Sequence, residues 1–278
     1  MSRKVLFFDI DGTLVESRLG IVDIPQTVKD EMKRLQGLGH KLFISSGRPR
    51  AMLNQEILEA GFDGYILANG AYVEIDGQSI YEDRMDATLA VKTMEMLEKL
   101  DCSYMIETAK HVYIDNQNND LYDFFDKVGF ASQFKTEFDK YDVIQRTLKI
   151  EANVTDENRE KVIDYIKNDF GYVVNYDEHG SENAFELYSP TISKAVGIQK
   201  VLEYYNLTKD DTYAFGDGIN DLEMIQYCHV GVAMGNAVKE LKDVADLICR
   251  RIDEDGLARI LKILKEIIKW SVLLIRFT

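Results

Sequence analysis

Three short apolar runs in this chain each break off into a turn of carboxylates, hydroxyls, amides and glycines. Val5–Phe8 runs into Asp9-Ile10-Asp11-Gly12-Thr13. Leu42–Ile44 runs into Ser45-Ser46-Gly47-Arg48. Tyr213–Phe215 runs into Gly216-Asp217-Gly218-Ile219-Asn220-Asp221. None of the three runs alternates with polar residues, so as strands they are buried on both faces. Helical patterns lie between them. Thr27–Leu38 places Val28, Met32 and Leu35 on one face with Pro25 near its start, and Ala51–Ala60 reads likewise, with Gly61 as its stop. Tyr65–Ala68 is a further apolar run. Apolar strands alternating with helices fit a parallel α/β sheet covered on both faces. Such a sheet binds ligands beyond the carboxyl ends of its strands, which would gather the three polar turns at one edge.

The same pattern returns near the C-terminus. Ser193–Tyr205 reads as a helix, Thr212–Phe215 as a strand, Leu222–Tyr227 as a helix and Gly231–Met234 as a strand. Ala237–Val244 is then helical, Leu247–Cys249 extended and Asp255–Ile268 an amphipathic helix. The middle differs. Thr147–Asn153 and Phe185–Tyr188 alternate with period two, and Ser103–Glu107 and His111–Asp115 are further short strand candidates. Period two fits an antiparallel sheet with one covered face, and helical patterns at Ala87–Lys99, Asp120–Val128 and Asp156–Asn168 supply the cover. The expected organisation is an α/β, Rossmann-like parallel-sheet core from residues 1–82 and 191–278, with residues 83–190 inserted as a smaller α+β domain. Hinges are expected near Glu82–Asp86 and Tyr188–Ile192. The last residues, Trp270–Thr278, are apolar at nearly every position, as in a packed extension, a dimer contact or a non-native tail.

Carboxylates gathered at one edge repel each other and are costly to desolvate. A hard divalent cation resolves this, and Mg²⁺ takes carboxylates, waters and phosphate in octahedral geometry. Cysteine and histidine are absent from the three turns, which disfavours zinc. Ser46 and the glycine-rich turns suit an oxyanion. The whole chain of 278 residues carries a formal net charge of −15, which argues against broad binding to nucleic acid or anionic membranes. It does not exclude an anionic substrate, because a bound metal reverses the local sign. Cys102, Cys228 and Cys249 are scattered and read as free thiols. Val5–Phe8 is too short for the core of a secretory signal, and no run reaches the roughly 20 residues of a membrane span. A cytoplasmic location is expected.

Taken with their order, these residues resemble a known family. Asp9-Ile10-Asp11-Gly12-Thr13-Leu14 resembles the first motif of the haloacid dehalogenase-like phosphohydrolases, and Phe43-Ile44-Ser45-Ser46-Gly47-Arg48-Pro49 their second as it occurs in the Cof-type branch. Ile192-Ser193-Lys194-Ala195 resembles the third and Gly216–Asp221 the fourth. Asn69-Gly70-Ala71 and Val232–Ala237 also resemble that branch. The insertion after the second motif matches the branch's large α/β cap. Ser46 stands where such sequences often carry threonine.

The resemblance implies roles. Asp9 is the nucleophile that forms an aspartyl-phosphate, and Asp11 the general acid and then base. Mg²⁺ sits on Asp9, the backbone carbonyl of Asp11, and Asp217. Ile10 and Gly47 through their N–H groups, with Ser46, Lys194 and Asn220, hold the phosphoryl oxygens. Asp221 supports the metal shell and Lys194, Thr13 and Gly12 shape the Asp11 loop, and Arg48 reaches the substrate or braces the loop. The implied activity is Mg²⁺-dependent hydrolysis of small phosphorylated metabolites, with sugar phosphates foremost. A phosphomutase with the same covalent chemistry, a non-catalytic metabolite-binding protein, and a homodimer remain open. Lys149, Glu151, His111, Glu186 and Tyr188 in the inserted segment read as solvated strand-face residues, and no role is assigned to His40, His111, His179 or His229.

Overall fold

The computed structural model describes residues 3–117, 119–175 and 183–264. Strand β1 (Val5–Phe8) is buried along its whole length. It leads through a looped segment into helix α1 (Gln26–Gly37), which follows Pro25 and buries Val28, Met32 and Leu35. Strand β2 (Lys41–Ser45) comes next. The helix expected over residues 51–60 is split. A single 3-10 turn covers Arg50–Met52, and α2 (Gln55–Glu59) starts afresh where the Asn54 side chain accepts the Ile57 N–H at 2.9 Å. Strand β3 (Gly64–Leu67) is followed by a hairpin that the apolar pattern did not announce, β4 (Tyr72–Ile75) and β5 (Gln78–Glu82).

The chain then builds a second sheet. Its elements are α3 (Ala87–Lys99), β6 (Ser103–Glu107), β7 (Val112–Ile114), α4 (Asp120–Lys127), α5 (Lys140–Val143), β8 (Lys149–Asn153), α6 (Asp156–Ile166), β9 (Gly171–Asn175) and β10 (Ala184–Tyr188). It returns to the first sheet through α7 (Lys194–Tyr205), β11 (Thr212–Gly216), α8 (Leu222–Tyr227), β12 (Val230–Ala233), α9 (Lys239–Val244) and β13 (Leu247–Ile248). A closing helix covers residues 256–264. The expected continuation of this helix to Ile268, and the apolar tail 270–278, lie outside the described residues.

The first sheet has the order β13-β12-β11-β1-β2-β3-β4-β5, parallel from β13 to β3 and antiparallel over the last two strands. From β1 the chain steps outward to β2 and β3, and later returns to place β11 on the other side. The strand order therefore reverses at β1, where an open α/β sheet forms its ligand crevice. Register fixes what meets there. Phe8 pairs with Ile44 on one side and Phe215 on the other, and the Phe8 and Phe215 rings stack with centroids 4.9 Å apart. Asp9, Ser45 and Gly216 follow directly, so the three polar turns leave the sheet side by side.

The second sheet is antiparallel, in the order β7-β6-β8-β10-β9. One face packs against α3 and α6 through Met94, Leu97, Val162, Ile166, Ile150, Ala152 and Phe185. Lys149, Glu151 and Glu186 alternate with these residues and occupy the other face. That face looks toward the edge of the first sheet where the polar turns emerge. No helix among the described residues is long and apolar enough to cross a membrane.

Candidate active site

The residues singled out in the sequence meet at the carboxyl ends of β1, β2 and β11. Asp9 is 6% exposed, and its Oδ1 accepts a hydrogen bond from Lys194 Nζ at 2.6 Å. Lys194 opens α7, is fully buried, and donates also to Asp221 Oδ1 at 2.5 Å. The second Asp221 oxygen accepts the backbone N–H groups of Asp217 and Gly218 at 2.8 and 2.9 Å. Asp221 thus ties the β11 turn to the lysine. Thr13 donates its hydroxyl to Asp217 Oδ1 at 3.1 Å, so it braces the β11 turn.

Glycine is required at position 12 for two reasons. Its φ of +81° is a left-handed conformation, and a Cβ there would lie 2.0 Å from Asp217 Oδ2. The Gly12 carbonyl accepts from Asn236 Nδ2 at 2.7 Å, and Asn236 Oδ1 accepts the Ile252 N–H. Asn236 falls in the segment after β12, whose resemblance to the Cof-type branch carried no assigned role. Its contribution is to hold the β1 turn from behind.

Charge is out of balance at this edge. Oxygens of Asp9, Asp217 and Asp221 lie within 4.8 Å of one another, and three carboxylates around one ammonium leave a formal charge of −2. Burial, opposed by Lys194 and reinforced by Asp221, Asp217 and Asp11, holds the Asp9 carboxyl well above the usual range. Burial and Asp221 push Asp217 up to about 7. The donor set is entirely oxygen, anionic and partly enclosed, which fits a hard divalent cation and not a soft one. Asp9 and Asp217 are the carboxylates available to such an ion, because both Asp221 oxygens already have partners.

Asp11 behaves differently from its neighbours. Its side chain is 58% exposed and forms a two-pronged pair with Arg48, Nε to Oδ2 at 2.8 Å and Nη2 to Oδ1 at 2.6 Å. The Arg48 guanidinium also lies over the ring of Phe130, 5.6 Å from its centroid. Ser46 is buried, and its Oγ accepts the Arg48 N–H at 3.2 Å. Asn220 donates to Asn69 Oδ1 at 3.2 Å. Ile10 is buried in the core behind the turn, and Gly47, within the β2 turn, lies against Lys149 and Glu186 of the second sheet.

These groups open on a cavity of about 1390 Å³ lined from both sheets, with Asp9, Asp11 and Asp217 on one wall and Lys149, Glu151 and Glu186 on the other. Lys149, Glu151 and Glu186 are therefore not solvated strand-face residues, as the alternation alone suggested. The Lys149 side chain is 2% exposed and lies 2.9 Å from Glu186 and 3.1 Å from the fully buried Glu107. Tyr188 is buried within the main core. Period two shows which residues share a face, but not whether water or an enclosed cavity lies beyond it.

Comparison with known proteins gives a consistent result. The family described as haloacid dehalogenase-like hydrolase matches residues 6–261. The Bacillus subtilis (strain 168) protein named “Putative phosphatase YkrA” is 32% identical over 268 residues, 94% of this chain and 98% of its own. The 5-amino-6-(5-phospho-D-ribitylamino)uracil phosphatase YitU of the same organism is 26% identical, covering 93% of this chain and 96% of its own. Among solved structures, the subclass IIB sugar phosphatase BT4131 superposes with a TM-score of 0.80 at 26% identity, over 94% of this chain and 99% of its own.

Proposed function

The chain belongs to the haloacid dehalogenase-like hydrolases and is a phosphatase of that family, and we propose that it hydrolyses phosphate monoesters of small hydroxylated metabolites through an acyl phosphate on Asp9. The observation that carries this reading is the Asp9–Lys194 pair at the switch point of the sheet, with Asp9 lining the cavity beside Asp217. Relatives named for phosphatase activity, one of them a sugar phosphatase, support phosphate release to water and a sugar-like leaving group.

The chemistry follows from the groups present. Lys194 holds Asp9 Oδ1 and so orients the carboxylate, leaving Oδ2 to attack phosphorus. The bond from phosphorus to the leaving oxygen breaks, and that oxygen takes a proton from Asp11. Asp11 then accepts a proton from water, which attacks the phosphorus and frees Asp9. Asp11 needs release from Arg48 to do this, because the pair seen here occupies both of its carboxylate oxygens. Ser46, the N–H groups of Ile10 and Gly47, Lys194 and Asn220 surround the phosphoryl oxygens, with Gly12 and Thr13 shaping the turn. Asp9, the Asp11 carbonyl and Asp217 would hold Mg²⁺, with Asp221 steadying that shell. When bound, the ion supplies positive charge to the phosphoryl oxygens. Residues 83–190 act as the cap that excludes water and selects the leaving group.

The test is phosphate release from a panel of sugar phosphates and other phosphorylated metabolites, with Mg²⁺ and with excess EDTA. Release from a subset, abolished by EDTA and by Asp9→Asn, is expected. Isomerised sugar phosphate without free phosphate would replace hydrolysis by a mutase reaction, and full activity in Asp9→Asn would remove the nucleophile.

A further inference from the structure

The cap does more than close over the site, because two of its side chains hold the phosphate-binding groups. Lys149 on β8 donates to the Gly47 carbonyl at 2.9 Å. That carbonyl shares a peptide unit with the Arg48 N–H, which donates to Ser46 Oγ. Fixing the carbonyl fixes the plane of that peptide. The N–H then occupies one lone pair of the Ser46 hydroxyl. Glu186 on β10 works on the other half of the pocket. Its Oε2 accepts from Asn69 Nδ2 at 2.8 Å, and Asn69 Oδ1 accepts from Asn220 Nδ2 at 3.2 Å. A carboxylate only accepts, so Glu186 forces the Asn69 amide nitrogen toward itself and the Asn69 oxygen toward Asn220.

Lys149 and Glu186 are themselves joined at 2.9 Å, and Asn175 steadies Glu186 Oε1 from β9 at 2.8 Å. The absence of a side chain at Gly47 follows from the same contact. A Cβ there would lie 2.9 Å from Asn69 Oδ1 and 3.3 Å from Glu186 Oε2. The cap, the β2 turn and the two amides therefore interlock at one point.

We propose that Lys149 and Glu186 are positioning residues for phosphoryl transfer, a cap-borne latch that sets the Ser46 hydroxyl and the Asn220 amide when the cap is closed. The inference rests on the phosphatase reading above. Because the latch acts on the phosphate pocket and not on the leaving group, its loss affects every substrate equally.

The experiment compares wild type and Lys149→Met with p-nitrophenyl phosphate and with one sugar phosphate, and measures inorganic phosphate binding by calorimetry. The expected result is a ten- to hundred-fold fall in kcat, equal for both substrates, with phosphate affinity lowered about tenfold. A loss confined to the sugar phosphate would overturn the latch and make Lys149 a reader of the leaving group. Unchanged kinetics with a lowered Tm would reduce it to a brace. Lys149→Met leaves three carboxylates around a missing ammonium and risks misfolding, so Glu186→Ala and Asn69→Gly provide a second route. Asn69 has a φ of 57°, which glycine tolerates. The Glu186→Ala/Asn69→Gly double variant should lose less than the product of the two single losses, and a full product would break the relay. If wild type releases phosphate from neither compound nor from any other phosphorylated metabolite of the panel, the proposed hydrolysis falls. The latch is then judged by phosphate affinity alone, which Lys149→Met must lower.

Discussion

At the scale of single residues, the site contains more negative charge than its ammonium groups balance, in the core and again in the cap. Glu107, Glu151 and Glu186 surround Lys149, which leaves a formal charge of −2 on that wall. Burial raises the Glu107 carboxyl well above its usual range and pushes Glu151 up to about 7, with Glu186 adding to the rise and Lys149 opposing it. The sign of the linkage is then fixed. Between an ordinary value near 4.5 and one near 7, the folded protein binds a proton at Glu151 that the unfolded chain has released. Stability therefore falls as pH rises through that window. Glu151→Gln removes the titration. Thermal melts in EDTA should show the wild type losing roughly 1–3 kcal/mol more than the variant between pH 5 and pH 7.5, from a shift of this size at 1.36 kcal/mol per pH unit, with Asp9, Glu107 and Asp217 contributing to the slope of both proteins. Equal slopes in the two proteins would show that Glu151 is ionised throughout. The sequence disclosed the core acids because Asp9, Asp11, Asp217 and Asp221 sit in turns at strand ends. It concealed the cap acids, because a polar residue alternating on a strand reads the same whether it faces solvent or a cavity.

At the scale of elements, the strands that lead into the polar turns were legible, as were β12 and β13 at one edge of the first sheet, while the hairpin at its other edge was not. β1, β2, β3 and β11 announce themselves as unbroken apolar runs. β4 and β5 bear Glu74, Gln78 and Ser79 among their apolar residues, which hides them from a search for such runs. The signal that could have found them is Asp76-Gly77, two residues with φ of 49° and 74°, the turn chemistry of a two-residue hairpin. β9 was missed because Gly171–Asn175 is short and mostly half-exposed. The break before α2 was likewise written in Asn54, a side chain suited to starting a helix. The turn after β1 makes the most demanding use of backbone. Gly12→Ala places a methyl against Asp217 and costs roughly 1–2 kcal/mol for the left-handed conformation alone. It is expected to lower kcat/KM at least about a hundred-fold while the far-ultraviolet circular dichroism stays native. Activity within twofold of wild type would mean that the Asp217 turn tolerates displacement.

At the scale of the whole molecule, the proposed reaction is divided between two sheets of different kinds. The parallel sheet gathers Asp9, Ser46 and Asp217 because its strand order reverses at β1, and the antiparallel sheet brings Lys149 and Glu186 down onto the β2 turn. The presence of two kinds of sheet was legible because hydrophobic patterning changes from unbroken runs to alternation and back. The contacts between the parts were not, since nothing local in residues 149 or 186 encodes a partner near residues 47 or 69. Whether Asp9 carries the phosphoryl group is read by a chemical trap. Enzyme turning over a phosphorylated substrate in the presence of Mg²⁺ is quenched with borohydride, which reduces an acyl phosphate to an alcohol, and its peptides are mapped by mass spectrometry. Homoserine is expected at position 9, and none in Asp9→Asn or without substrate. Release of phosphate with Asp9 recovered unmodified in every quench, or reduction at Asp11 or Asp217 instead, would contradict it.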